Sequence, residues 1–130
     1  MKKLTTFLAL SLGVIVIANS QVTNYGVGSG TQGSNNAFFG DGAGSATLTF
    51  RNTAVGSQAL RMNYGGVSNT ATGHEALFAN TTGSRNTATG QRSLRANTTG
   101  ENNTALGYAT LVQNTTSGGN TAVGAYALNQ

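Results

Sequence analysis

The chain has 130 residues, 8% of them charged and 7% aromatic, with 19 Gly and no Pro, Trp or Cys. One modest domain fits that length, and the lack of Cys excludes disulfide staples, thiolate metal sites and a lipid-bearing Cys. Setting aside Lys2 and Lys3, five Arg (Arg51, Arg61, Arg85, Arg92, Arg95) stand against Asp41, Glu75 and Glu101, so the formal +4 falls to +2. Scattered Arg without Lys make no phosphate-tracking stripe, and nucleic acid is not an expected partner.

The chain opens with "MKKLTTFLALSLGVIVIANS". Its positive start, its short apolar run and the small residues Ala18, Asn19 and Ser20 predict a signal peptide over residues 1–20, cut near Gln21. That run is short for a ~30 Å hydrocarbon layer, so no membrane span is expected in the mature chain. Secretion or display at a bacterial cell surface follows. Residues 21–35, which include "GVGSG", have no following Lys or helix signal and read as a flexible segment.

From residue 36 to residue 130 the chain repeats. Asn52, Asn69, Asn86, Asn103 and Asn120 stand seventeen apart, and "NAFFG" at residues 36–40 is a decayed copy sixteen residues earlier. Units therefore begin at 36, 52, 69, 86, 103 and 120. Four residues after each seventeen-spaced Asn comes Gly (Gly56, Gly73, Gly90, Gly107, Gly124), and eight after it comes Leu (Leu60, Leu77, Leu94, Leu111, Leu128). A second Asn recurs at Asn63, Asn80, Asn97 and Asn114. A strict short period signals stacked identical units. Two strands of about five residues with two turns fit seventeen residues, which predicts an all-β fold, a parallel β-solenoid with one unit per coil. At the ~4.7–4.9 Å spacing of neighbouring strands the Asn side chains would line up as hydrogen-bonded ladders. Gly would supply a positive φ or room for a close backbone.

Strand alternation places Ala54 and Val55, and likewise Ala59 and Leu60, on opposite sides. Both sides then carry apolar columns, and a single thin roll covers only one. A partner copy is therefore expected over the Leu column or the Ala column opposite. The residues that vary between units, Arg61, Phe78, Arg95 and Val112, share one register position and form the candidate ligand face.

The cadence "NTAVG…AL", read with "NTTG", resembles the head repeats of trimeric autotransporter adhesins, and is similar to repeats of secreted bacterial and phage-like fibre proteins. The resemblance covers residues 52–130 well and 36–51 loosely. It implies a left-handed parallel β-roll, packing as a homotrimer, and a structural and adhesive role toward host, surface or glycan ligands. The adhesin units are shorter, so the turns here must be longer. The chain stops at "NTAVGAYALNQ", partway through a unit, which fits either a piece of a longer fibre or association through coil ends.

Chemistry is weakly signalled. His74–Glu75 lacks the second His of a zinc helix motif and occupies variable positions. Asp41, Glu75 and Glu101 fall at unrelated register positions, and the single His has no positioned nucleophile. "GDGAGSA" at residues 40–46 occurs once, without the repeated Asp of a calcium roll. The "NTT" triplets at Asn80, Asn97 and Asn114 match a glycosylation pattern, but their regular recurrence reads as turn chemistry. No enzyme activity, cofactor or metal is expected. The alternative function is ice binding through the column Thr53, Thr70, Thr87, Thr104 and Thr121; a flat face two Thr wide needs Thr-x-Thr within one strand, found only in "TAT" at residues 70–72 and 87–89, and Val55, Leu106 and Val123 interrupt it.

Overall fold

The computed structural model describes residues 35–129, together with the backbone of three short N-terminal strands, β1 (Phe7–Leu8), β2 (Ile15–Val16) and β3 (Thr23–Tyr25). Most of residues 1–20, read above as a signal peptide, the expected cleavage point near Gln21 and most of the segment after it lie outside the described residues. Strands β4 (Ala37–Phe39), β5 (Thr53–Val55), β6 (Thr70–Thr72), β7 (Thr87–Thr89), β8 (Thr104–Leu106) and β9 (Thr121–Val123) follow, and there is no helix among the described residues. β3 to β9 form one parallel sheet in chain order, with like positions facing like, as in Ala54 against Ala71 and Ala71 against Ala88. The fold is the parallel β-solenoid with a seventeen-residue coil that the period demands.

Each coil holds one three-residue strand, not two longer ones. Its middle Ala is buried while the residue after it is exposed. Gly then turns the chain: Gly56 has φ 128°, and a Cβ there would lie 2.7 Å from the carbonyl carbon of Gly73 in the next coil. Both reasons for Gly, the backbone conformation and the close approach, hold at this one position.

Beyond Gly the backbone leaves the β region. Gln58 (φ 59°) and Leu60 (φ 52°) are left-handed, as are Glu75 and Leu77, and Arg92 and Leu94. Period-two alternation no longer applies, and Ala59 and Leu60 both face the interior with no exposed surface. This corrects the expectation that the Leu or Ala column must be covered from outside: a single chain buries both, apart from Leu128 in the last described coil, which is exposed. The left-handed conformation costs on the order of 1–2 kcal/mol per residue. Burying Leu contributes on the order of 1.5–3 kcal/mol. The Leu60 N–H also donates 2.9 Å to the Ala76 carbonyl, and the Met62 N–H 3.1 Å to that of Phe78, so these peptides stay bonded between coils without a strand.

The interior is nearly as polar as it is apolar. Ala54, Ala71, Ala88 and Ala105 with Leu60, Leu77 and Leu94 share it with Asn52, Asn63, Asn69, Asn80, Asn86, Asn97 and Asn103, all fully buried. The two Asn columns work differently. In the first, the backbone N–H of Asn69 donates to Asn52 Oδ1 (3.0 Å), and Asn86 repeats this on Asn69 (2.9 Å). In the second, the amides bond to one another: Asn80 Nδ2 to Asn63 Oδ1 at 2.7 Å, and Asn97 Nδ2 to Asn80 Oδ1 at 2.8 Å. Asn69 Nδ2 and Asn80 Nδ2 both donate to the Gly83 carbonyl at 2.8 Å, tying the columns together inside one coil. Only Asn129 Oδ1 is buried without a partner among the described residues. Burial of Asn80 and Asn97 closes both to glycosylation in the folded chain and supports their reading as turn residues.

Candidate functional site

The repeated Asn and the middle Ala of each strand point inward, and the repeated strand Thr and the variable residues make the surface. Arg61, Phe78, Arg95 and Val112 rise as a column from consecutive coils, held in register by bonds such as Met62 N–H to the Phe78 carbonyl and Ala79 N–H to the Arg95 carbonyl (3.0 Å). The guanidinium of Arg61 lies 5.7 Å and that of Arg95 5.3 Å from the centre of the Phe78 ring. The ring is clamped between two cations stacked along the solenoid, an arrangement that straightens long side chains otherwise free to wander.

Glu75 anchors one end of this patch. Its Oε2 accepts from Arg95 Nε at 2.9 Å and from Arg92 Nε at 3.1 Å. The Arg95 bond, aided by Arg92, holds the Glu75 carboxyl below its ordinary range against the opposing pull of partial burial. Arg85 is paired likewise with Glu101 and donates to Asn102 Oδ1 at 2.8 Å. Arg61 instead donates to the neutral Gln58 Oε1 at 3.2 Å and meets no carboxylate among the described residues. His74 is exposed beside Glu75. No group of three His, Asp or Glu converges among the described residues, and Asp41 stands apart with its backbone carbonyl bonded to the Gln58 N–H.

Two features escaped the sequence reading. Ser45 belongs to the same column, one coil before Arg61: Ala46 N–H donates to the Arg61 carbonyl as Met62 N–H does to that of Phe78. The sixteen-residue spacing of the first unit carried that signal. Tyr64, at the start of the following turn, is half exposed and borders the column. With Ser45, Ala46, Arg61, Met62 and Phe78 it lines an open groove of ≈ 420 Å³.

The strand face is a second, chemically different surface. The first and third residues of β4 to β9 point outward, twelve positions without a charge, and seven are Thr. Thr72 and Thr89 stand exposed in one column with Phe39, Val55, Leu106 and Val123. Comparison of the chain with protein-family models, curated proteins and solved structures returns no match.

Proposed function

We propose that the chain is a rigid structural and adhesive module of a secreted or cell-surface fibre, of the type met in trimeric adhesin heads, and that it contacts its ligand through the Arg61–Phe78–Arg95–Val112 column. One observation carries this reading. The repeated Asn, Ala and Leu are buried in all but the last coil and bond or pack coil to coil, whereas the column Arg61, Phe78, Arg95 and Val112, which differs from unit to unit, is at least partly exposed. Such a scaffold holds its surface groups at fixed spacing while leaving their identity free to change. The N-terminal segment supports export, and the absence of Cys suits a fibre whose order comes from ladders.

Homotrimer assembly belongs to the same proposal, on a changed footing. The Leu column no longer calls for a partner; the uncharged strand face is what a sister copy would cover. Six strands of three residues make a strip of ~29 by ~10 Å, about 290 Å². A stable interface takes ~800 Å² per partner, so assembly must recruit the columns flanking the strip.

Ice binding is a second reading, favoured by one observation: in β6 and β7 the two Thr flanking a buried Ala share the outward face, in line with their copies in the next coil. Retention of the purified exported chain on cells and saccharide-coated surfaces tests the first reading, with light scattering for the trimer. Retention is expected to drop in the double variant Arg61→Ala/Arg95→Ala. Thermal hysteresis without any retention would replace the first reading by the second.

A further inference from the structure

We infer that the groove between Ser45 and Tyr64 binds an acidic saccharide, a sugar unit bearing a carboxylate; this rests on the adhesive reading and names its ligand class. The hollow arises from a size change within one column. Arg61, Phe78, Arg95 and Val112 fill their positions, but the same position one coil earlier is Ser45, with Ala46 beside it. Space is left over Ser45 and Ala46 beside Arg61, with Phe78 also on its border. An open groove of ≈ 420 Å³ with polar and apolar lining in about equal parts is of the size that small polar ligands occupy.

The polar group is specific. Arg92 and Arg95 share Glu75, and Arg85 is held by Glu101. Arg61 is positioned by the Phe78 ring and by Gln58, both uncharged, so among the described residues its charge is uncompensated. A planar guanidinium presents paired donors that match one carboxylate. A doubly charged phosphate would want a second cation, and the groove lining contains none. Tyr64 supplies an apolar ring face with a polar tip, the surface against which the C–H face of a pyranose packs, while Met62 and Ala46 line the groove around it. Ser45 is exposed and adds a hydroxyl for the sugar.

Isothermal calorimetry on the full exported chain tests this with two pairs of probes, sialyllactose against lactose and tetragalacturonate against the neutral galactose tetramer. Binding of at least one acidic probe and neither neutral one is expected. Arg61→Ala and Tyr64→Ala should each weaken it at least about tenfold, the worth of one charge-assisted contact. Arg61→Lys should also weaken it, because an ammonium lacks the planar fork. Arg92→Ala should leave it unchanged. Both groove side chains are exposed, so the variants should fold, which circular dichroism checks. Failure of both acidic probes to bind, equal binding of a neutral partner, or an equal loss in Arg92→Ala would overturn the site. Surface retention measured on the same preparations separates the two proposals. Retention that survives Arg61→Ala removes the saccharide site alone; absence of retention in the parent chain removes the adhesive reading itself.

Discussion

Replacing Asn80 by Asp changes one atom of a fully buried amide and leaves its shape alone. In the parent chain Asn80 Nδ2 donates to Asn63 Oδ1 (2.7 Å) and to the Gly83 carbonyl (2.8 Å), while its Oδ1 accepts from Asn97 Nδ2 (2.8 Å). An ionised Asp keeps the third bond and turns the first two into oxygen–oxygen contacts. Leaving a buried polar group unsatisfied costs about 1–3 kcal/mol, so two such contacts cost about 2–6 kcal/mol before the charge is counted. Domains of this kind have only about 5–15 kcal/mol to lose. A proton on the introduced carboxylate would restore one donation, so burial raises its folded pKa above the unfolded value of about 3.9. Between those two values the folded state binds the extra proton, and stability falls as pH rises, by about 1.4 kcal/mol per pH unit. Urea unfolding of the variant, measured as a difference from the parent, should therefore show a large loss at pH 7 that shrinks toward about pH 3.5, just below that unfolded value. Asn80→Ala should show a loss that does not depend on pH. If Asn80→Asp matched the parent at pH 7, or lost the same amount at every pH, the ladder would not be the buried, donor-dependent structure described above.

Leu77→Ile keeps volume but puts a β-branched side chain at φ 50°, a conformation such residues resist. It should cost more than the ~1.5 kcal/mol ceiling of ordinary isosteric swaps, read from thermal melting; a smaller loss would mean the left-handed backbone is not enforced. Gly73→Val places a Cβ 2.7 Å from the Gly90 carbonyl carbon at φ 127° and should unfold its coil, whereas Arg85→Ala, an exposed ion pair, should change stability by no more than about 1 kcal/mol. Hydrogen exchange resolves the two by location. The lowered pKa of Glu75 means that its contribution is present at neutral pH and fades as pH falls through the folded pKa, below the usual value of about 4.3. Glu75→Gln should remove that acid-side loss, a term of at most about 1 kcal/mol because the Arg partners are half exposed; an unchanged pH profile would show the cluster to be idle.

Much of the architecture was legible in spacing alone. A seventeen-residue period with Asn, Gly and Leu at constant offsets requires identical coils in register, because only stacking puts each fixed residue beside its copies. From this follow the parallel sheet, the inward Asn and the Gly demanded by close backbone approach. The same offsets located the Arg61–Phe78–Arg95–Val112 column, since register in a solenoid is a property of chain length per turn.

What the offsets do not contain is the direction of a side chain, which depends on φ. Reading Ala59 and Leu60 as a strand assigns them to opposite faces; the left-handed turns at Gln58 and Leu60 bring both inside and remove the reason for an external cover over Leu. No local preference announces a left-handed Leu, because what stabilises it is burial and the bond from Leu60 N–H to the Ala76 carbonyl sixteen residues away. The division between the two Asn columns, one bonding through the backbone and the other amide to amide, is likewise set by packing. So are the pairing of Glu75 with Arg92 and Arg95 and the hollow beside Arg61, whose members lie up to thirty-three residues apart and meet only after the chain has wound. Periodicity determines which residues share a column; only the folded backbone decides which way each column faces and what it meets there.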